Sequence, residues 1–375
     1  MIKIDLNDIK FKFINSELLL IINIGKKMQI EERMNMFRDV FAPKTGEKVL
    51  VIYDTPHDDI KDNEKWKESR QLANVWYDTL KKMGTSEGFS VDISKYNSPG
   101  LHNTQISKDI IDEISKYNLV LVFMEFSISS SVSKICRAKN NNTRGAGLHP
   151  ERRMEDGVFK ANYSDVKKYA ISIKKMLNKA IGAEINFSTG DFLFIDLRNR
   201  VGHSDEGDCT KAGIYINFPS GEGFIAPYEA ASEEINEFGE SKTEGVWPVS
   251  YKGELLKYTI KNNKIINIIG KGPMADEARK FYSENDSRRN IAELGIGCNP
   301  KAVVTGNVFE DEKVGLHIAY GTSTHFDGKV QSDTHLDIVY AKGCPVEGTS
   351  LKLIYEDGSK IELITDSKLR YDLLK

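Results

Sequence analysis

KVLVIYD, residues 48–54, is a short apolar run that ends in an acid, and it reads as a strand of a parallel sheet. The succession of elements beyond it decides the fold. Residues 62–84, DNEKWKESRQLANVWYDTLKKMG, place Trp66, Leu72, Val75 and Leu80 near helical spacing and stop at Gly84. FSVDISK (89–95) reads as a second short strand, SKDIIDEISKY (107–117) as a helix and NLVLVFME (118–125) as a buried strand. YSDVKKYAISIKKMLNKAIG (163–182) reads as a helix capped by Ser164 and closed by Gly182. The asparagine run at 140–142 with the TRGAG after it reads as a mobile loop. Strand and helix alternate, so an open parallel α/β sheet flanked by helices is expected.

After about residue 185 the pattern changes to short strands broken by turn residues: INFSTGDFLFIDLR, GIYINFPSGEGFIAP, LLKYTIKNNKIINIIG, KVGLHIAYG, HLDIVY and SLKLIYEDGSKIELI. Asp357-Gly358 and the KNN at 261–263 are hairpin signals. One helix, residues 274–286, interrupts them. A chain of 375 residues exceeds what one core usually serves. The expected organisation is an α/β fold, with an N-terminal open parallel α/β domain (1–185) and a strand-rich α+β metal-binding domain (186–375).

Composition narrows the function. Hydrophobic content of 40%, charged content of 29% and a net charge of -3 describe a soluble globular chain without a basic footprint, so neither a nucleic-acid nor a membrane partner is expected. Cys136, Cys209, Cys298 and Cys344 are far apart with no CxxC pair, which excludes a thiolate zinc site. The charged start lacks the apolar stretch of a signal peptide, and LLLIINI (18–24) is far below the roughly 20 residues a span needs. A reducing cytoplasm is the expected home.

Three of the seven histidines fall within residues 317–340. In a strand, residues i and i+2 share a face, so His335 and Asp337 in THLDIVY project together as a natural pair of metal ligands or as a hydrogen-bonded pair. His317, between Leu316 and Ile318, points away from two apolar neighbours, as a structural histidine also would. Glu293 lies in an apolar run, where a buried carboxylate is costly unless paired or metal-bound. Glu222 between two glycines fits a turn, and Glu312 in the acidic EDE fits a solvated loop. Together they form an oxygen- and nitrogen-rich set that suits Zn, Co, Mn or Fe, with enough carboxylates to bridge two ions.

The segments NFPSGEGFIAP, RNIAELGIGCNP, EDEKVGLHIAYG and SDTHLDIVY, in that order, resemble the M29 family of metallo-aminopeptidases, the aminopeptidase T or thermophilic metalloprotease group. GDFLFIDLRNR and ICRAKNNNTRGAGLHP fit more loosely, so the likeness spans roughly residues 115–345. It implies a site for two divalent ions held by Glu222, Glu293, His317, His335 and Asp337, with Glu312 as a further ligand or the general base. It also implies a peptide substrate and a homodimer. The family has a tyrosine seven residues past its first histidine; Thr324 stands there, next to His325. Tyr320 and His325 are therefore the candidate substrate-binding residues. EEINEFGESKTEG (233–245) reads as an insertion.

Relatives of the same architecture supply a second expectation, a mononuclear Fe(II) ring-cleaving dioxygenase of the 2,5-dihydroxypyridine type needing only His317, His335 and Asp337. A third is a catalytically silent relative that binds a small molecule. Elsewhere, Gly270, Gly272 and Ala275 suggest a dinucleotide fingerprint, but a tight turn before Pro273 explains them better. His203, Ser204 and Asp205 read as a polar loop bordering the substrate entrance. No GxSxG elbow, Walker loop or HExxH helix is present.

Overall fold

The structure is a computed structural model that describes residues 9–14, 17–22, 28–102, 104–139 and 141–374. The first eight residues, the end of the apolar run at 18–24 and Asn140 of the asparagine run lie outside them.

The expected parallel sheet forms from five strands. Its spatial order is Ser90–Asn97, Lys48–Thr55, Leu119–Phe123, Arg144–Leu148 and Tyr215–Phe218, all parallel. Val49 to Ile52 and Leu119 to Val122 are wholly buried because helices cover both faces. Helix Glu64–Glu87 presses Trp66, Leu72, Trp76, Leu80 and Met83 onto the sheet. Asn63 caps it by accepting the Trp66 amide, and the left-handed Gly88, not Gly84, closes it.

Several sequence readings are corrected. TRGAG belongs to a central strand, Arg144–Leu148, rather than to a mobile loop. Its glycines are required by close packing: a Cβ on Gly147 would meet the Tyr215 hydroxyl at 2.2 Å. Arg144 is buried, with its guanidinium paired to Glu47 at 2.8 Å and bonded to the Phe41 carbonyl. Helix Tyr163–Leu177 is capped by Asn162 rather than Ser164, and Gly182 lies inside the strand Ala180–Phe187. Residue 185 falls within that same strand, and the chain returns to the parallel sheet at Tyr215–Phe218.

The second half builds two antiparallel sheets. One has eight strands, with hairpin turns at Asn262–Asn263 (φ 50 and 62) and at Gly358 (φ 79), where the sequence signals placed them. The other has five, in the order His335–Val339, Leu316–Gly321, Ile291–Gly297, Glu222–Ile225 and His203–Asp205. One face of this smaller sheet supplies Ile225, Ile291, Leu294, Ile296, Leu316 and Ile318 to a core shared with the larger sheet and with Ile173 and Leu177 of helix Tyr163–Leu177. Its other face is polar, and it carries the site. Among the described residues no helix is long and apolar enough to cross a membrane.

Candidate metal centre

Strand register brings the ligands together. Glu293 pairs with Ala319, and Ala319 with Asp337, so the two carboxylates flank a small residue in one line across the sheet. A β-bulge between Ile291 and Glu293 is what aims Glu293. Ile291 opposes Tyr320 on the apolar face, and without the extra residue Glu293 would oppose Ile318 on that face too. His317 opposes Gly295, and its imidazole lies over that glycine: a Cβ there would sit 1.8 Å from His317 Nε2.

Two ligand groups result, Glu222–Glu293–His317 and Glu293–His335–Asp337, each with its donor atoms within 4.8 Å of one another. Glu293 belongs to both. Its Oε1 lies 3.5 Å from His317 Nε2 and its Oε2 lies 3.2 Å from His335 Nε2. Glu222 Oε2 approaches His317 Nε2 at 3.3 Å, and Asp337 Oδ1 approaches His335 Nε2 at 3.7 Å.

The surroundings fit a metal. Each histidine turns Nδ1 to a main-chain carbonyl, His317 to Gly315 at 3.3 Å and His335 to Thr322 at 2.7 Å. A carbonyl only accepts, so Nδ1 carries the proton and Nε2 is left as the ligating atom. Asp337 Oδ1 is buried and has no hydrogen-bond partner among the described residues. Without an ion, protons take the positive role. Burial works against charge on both imidazoles, yet the Glu222 and Glu293 carboxylates hold His317, and Asp337 with Glu293 holds His335, well above the ordinary histidine range. Burial likewise opposes the Glu293 charge, but the two imidazoles hold its carboxyl down at about 2.

Two residues that sequence reasoning missed complete the cluster. Lys313 is fully buried, donates to Glu222 Oε1 at 2.6 Å, and lies 2.7 Å from Glu312 and 3.5 Å from Asp205. It occupies one oxygen of Glu222 and leaves Oε2 to face His317. His203–Asp205 is an edge strand of the site's sheet rather than a loop, and Asp205 is largely buried, 3.5 Å from Lys313. The only signal for Lys313 in the sequence was its place next to Glu312.

The other candidates sort by strand face. Glu312 caps the short helix Val308–Asp311 and is largely buried beside Lys313, not a solvated loop charge. Burial and the nearby Glu222 and Asp337 charges raise its carboxyl to about 8. It stands outside both ligand groups. Tyr320 does not line the site: alternation along its strand turns it into the core, against Trp247, Phe281 and Tyr282. Thr324 is exposed and bonds to Gln331 at 2.9 Å. His325 stands edge-on to His335 with centroids 4.8 Å apart, beside Phe326. Crowding by the protein and the His335 charge lower its pKa to about 4, so the ring is neutral. Glu229 anchors this loop, accepting from Ser323, Asn290 and the Lys329 amide. Gly270 and Gly272 form the turn before helix Pro273–Glu284.

No protein-family model matches the chain, and no curated protein matches it. Among solved structures it is similar to a 2,5-dihydroxypyridine dioxygenase from Pseudomonas putida KT2440, with a TM-score of 0.64 over 91% of this chain and 98% of that one, at 16% identity. At that identity the likeness carries the fold: an α/β architecture with one parallel and several antiparallel sheets. The chain thus combines a known α/β fold with a candidate metal-binding centre.

Proposed function

We propose that the chain is a metal-dependent hydrolase with a carboxylate-bridged pair of divalent ions, acting as an aminopeptidase on the N-terminal residues of peptides. The observation that carries this reading is the sharing of Glu293, whose two oxygens address different imidazoles. Glu222 with His317 would hold one ion, and His335 with Asp337 the other. Zn, Co and Mn suit such a donor set. Bound ions would supply Lewis-acid polarisation of the scissile carbonyl and an activated water. The chain's own part is then positioning and proton handling. Glu312, buried and titrating near neutrality, suits a group that takes a proton and passes it to the leaving amine. His325, neutral at the rim, can hydrogen-bond a substrate without repelling its cationic N-terminus. The M29 resemblance supports the peptide substrate and a homodimer.

The fold likeness favours a second reading, a mononuclear Fe(II) ring-cleaving oxygenase using His317, His335 and Asp337. It requires those three on one ion, whereas His317 groups with Glu222 and Glu293, and His335 with Asp337 on the far side of Glu293. Elemental analysis of refilled protein separates the two. Two ions per chain, with cleavage of aminoacyl-p-nitroanilides, is the expected result. One iron per chain, with oxygen uptake on a dihydroxypyridine and no peptidase activity, would replace the hydrolase reading by the oxygenase.

A further inference from the structure

A second cluster of chemistry-bearing groups lies apart from the metal ligands, at the carboxyl ends of the parallel strands. The sheet order reverses between Lys48–Thr55 and Leu119–Phe123, and in open α/β sheets the crevice beyond that reversal is where ligands bind. Asp54 ends the first strand, buried, with its carboxylate accepting the amides of Glu125 and Phe126 and the Trp66 indole. That clamp fixes Glu125 just past the second strand. Glu125 Oε1 accepts from Asn63 at 2.8 Å, while Oε2 is buried and has no hydrogen-bond partner among the described residues.

His149 comes directly after the next strand, Arg144–Leu148, and its Nδ1 bonds to the Met124 carbonyl at 2.8 Å. Nδ1 must therefore be the donor, and in the neutral ring Nε2 is an acceptor. Nε2 faces Glu125 Oε2 at 3.7 Å, beyond hydrogen-bond length. Two acceptors converge, one of them anionic, and Phe309 stacks on His149 with centroids 6.2 Å apart. A cation that donates hydrogen bonds satisfies both acceptors.

We infer that this crevice is a binding site for an ammonium or guanidinium group, with Glu125 and His149 as its two acceptors. It needs neither metal ion, so it stands or falls independently of the catalytic reading.

The test is a titration of the full chain at constant ionic strength, monitored through the His149 ring resonances, with n-butylammonium, methylguanidinium and tetramethylammonium as probes. The first two should give saturable shifts, while the third, a cation without N–H donors, should not. Glu125→Gln keeps the side-chain shape and an oxygen for Asn63, and it should weaken binding of both donor cations roughly tenfold or more. Metal content and thermal midpoint, unchanged in that variant, certify its fold. Equal responses to all three cations, or undiminished binding by a folded Glu125→Gln chain, would overturn the inference.

Discussion

Replacing Gly295 by alanine is the sharpest perturbation the site offers. The new methyl would stand 1.8 Å from His317 Nε2 and 2.3 Å from its Cε1, where carbon and nitrogen need roughly 3.5 Å. The backbone at this glycine is not left-handed, so alanine is acceptable to the main chain, and the conflict falls on the imidazole alone. His317 must swing by about the missing 1.7 Å, away from Glu222 and Glu293, its neighbours at 3.3 and 3.5 Å. Loss of an orienting partner alone lowers metal affinity about 10–100-fold. Under the paired-ion reading, displacing His317 should therefore weaken the ion held with Glu222 by about 100-fold or more, near 2.7 kcal/mol, and leave an ion at His335 and Asp337 bound. Calorimetric titration with Zn or Mn and elemental analysis read this directly, with circular dichroism as the check on folding. A folded Gly295→Ala chain that binds both ions at wild-type affinity would refute the placement of His317.

Three further outcomes are expected. Lys313→Met strips the buried ammonium from Asp205, Glu222 and Glu312, and should destabilise the ion-free chain by about 3–5 kcal/mol in urea titrations. Burial raises Asp205 to about 6 and Glu312 to about 8 with the lysine present, and removing it raises both further, so the variant's deficit should grow with pH; equal deficits at pH 5 and pH 8 would contradict this. Because ion binding must displace protons that the ion-free chain holds on His317 and His335, metal affinity should strengthen from pH 6 to 8 with measurable proton release, and a flat profile would count against Nε2 ligation. Burial opposes the Glu47 charge, yet Arg144 holds its carboxyl below the ordinary value, so this pair's stabilisation is complete above about pH 4.5 and lost as pH falls through the folded value; Glu47→Gln should flatten that acid limb.

The parallel sheet was legible where strands are apolar runs, as in Leu119–Phe123, and hidden where close packing demanded glycine. RGAGL has the composition of a loop because Gly147 must clear Tyr215, a neighbour 68 positions away that no local pattern reveals. The candidate ligand set was legible for the opposite reason. His335 and Asp337 obey the two-residue period within one strand, and Glu293 breaks an apolar run. Tyr320 was misplaced because the sequence offers it as a replacement for the tyrosine of the resembling family, whose position Thr324 occupies; three residues along a strand from His317 is an odd number, and it turns the ring into the core. Lys313 was invisible because a lysine beside a glutamate is ordinarily a solvated pair. Only the fold, by bringing Glu222 and Asp205 from adjacent strands, makes it a buried counter-ion.

Charge decides how many ions such a pocket accepts. Asp205, Glu222 and Glu312 surround the ammonium of Lys313, and Glu293 and Asp337 stand beside His335, which leaves four negative charges once the imidazoles are neutral ligands. Two divalent ions match that surplus. One ion leaves two charges in a buried place, where they persist only as protons, and Glu312 and Asp205, already raised to about 8 and about 6 by burial, are the groups that would keep them. The two readings of the site therefore differ in what happens to Glu312. Under the paired-ion reading, Glu312 would be ionised at neutral pH and available as a base. Under the single-ion reading, the carboxyl stays protonated at neutral pH. A carboxyl-selective infrared band assigned through Glu312→Gln and tracked during metal titration distinguishes them: disappearance with the second equivalent supports the hydrolase, and persistence at saturation rules it out.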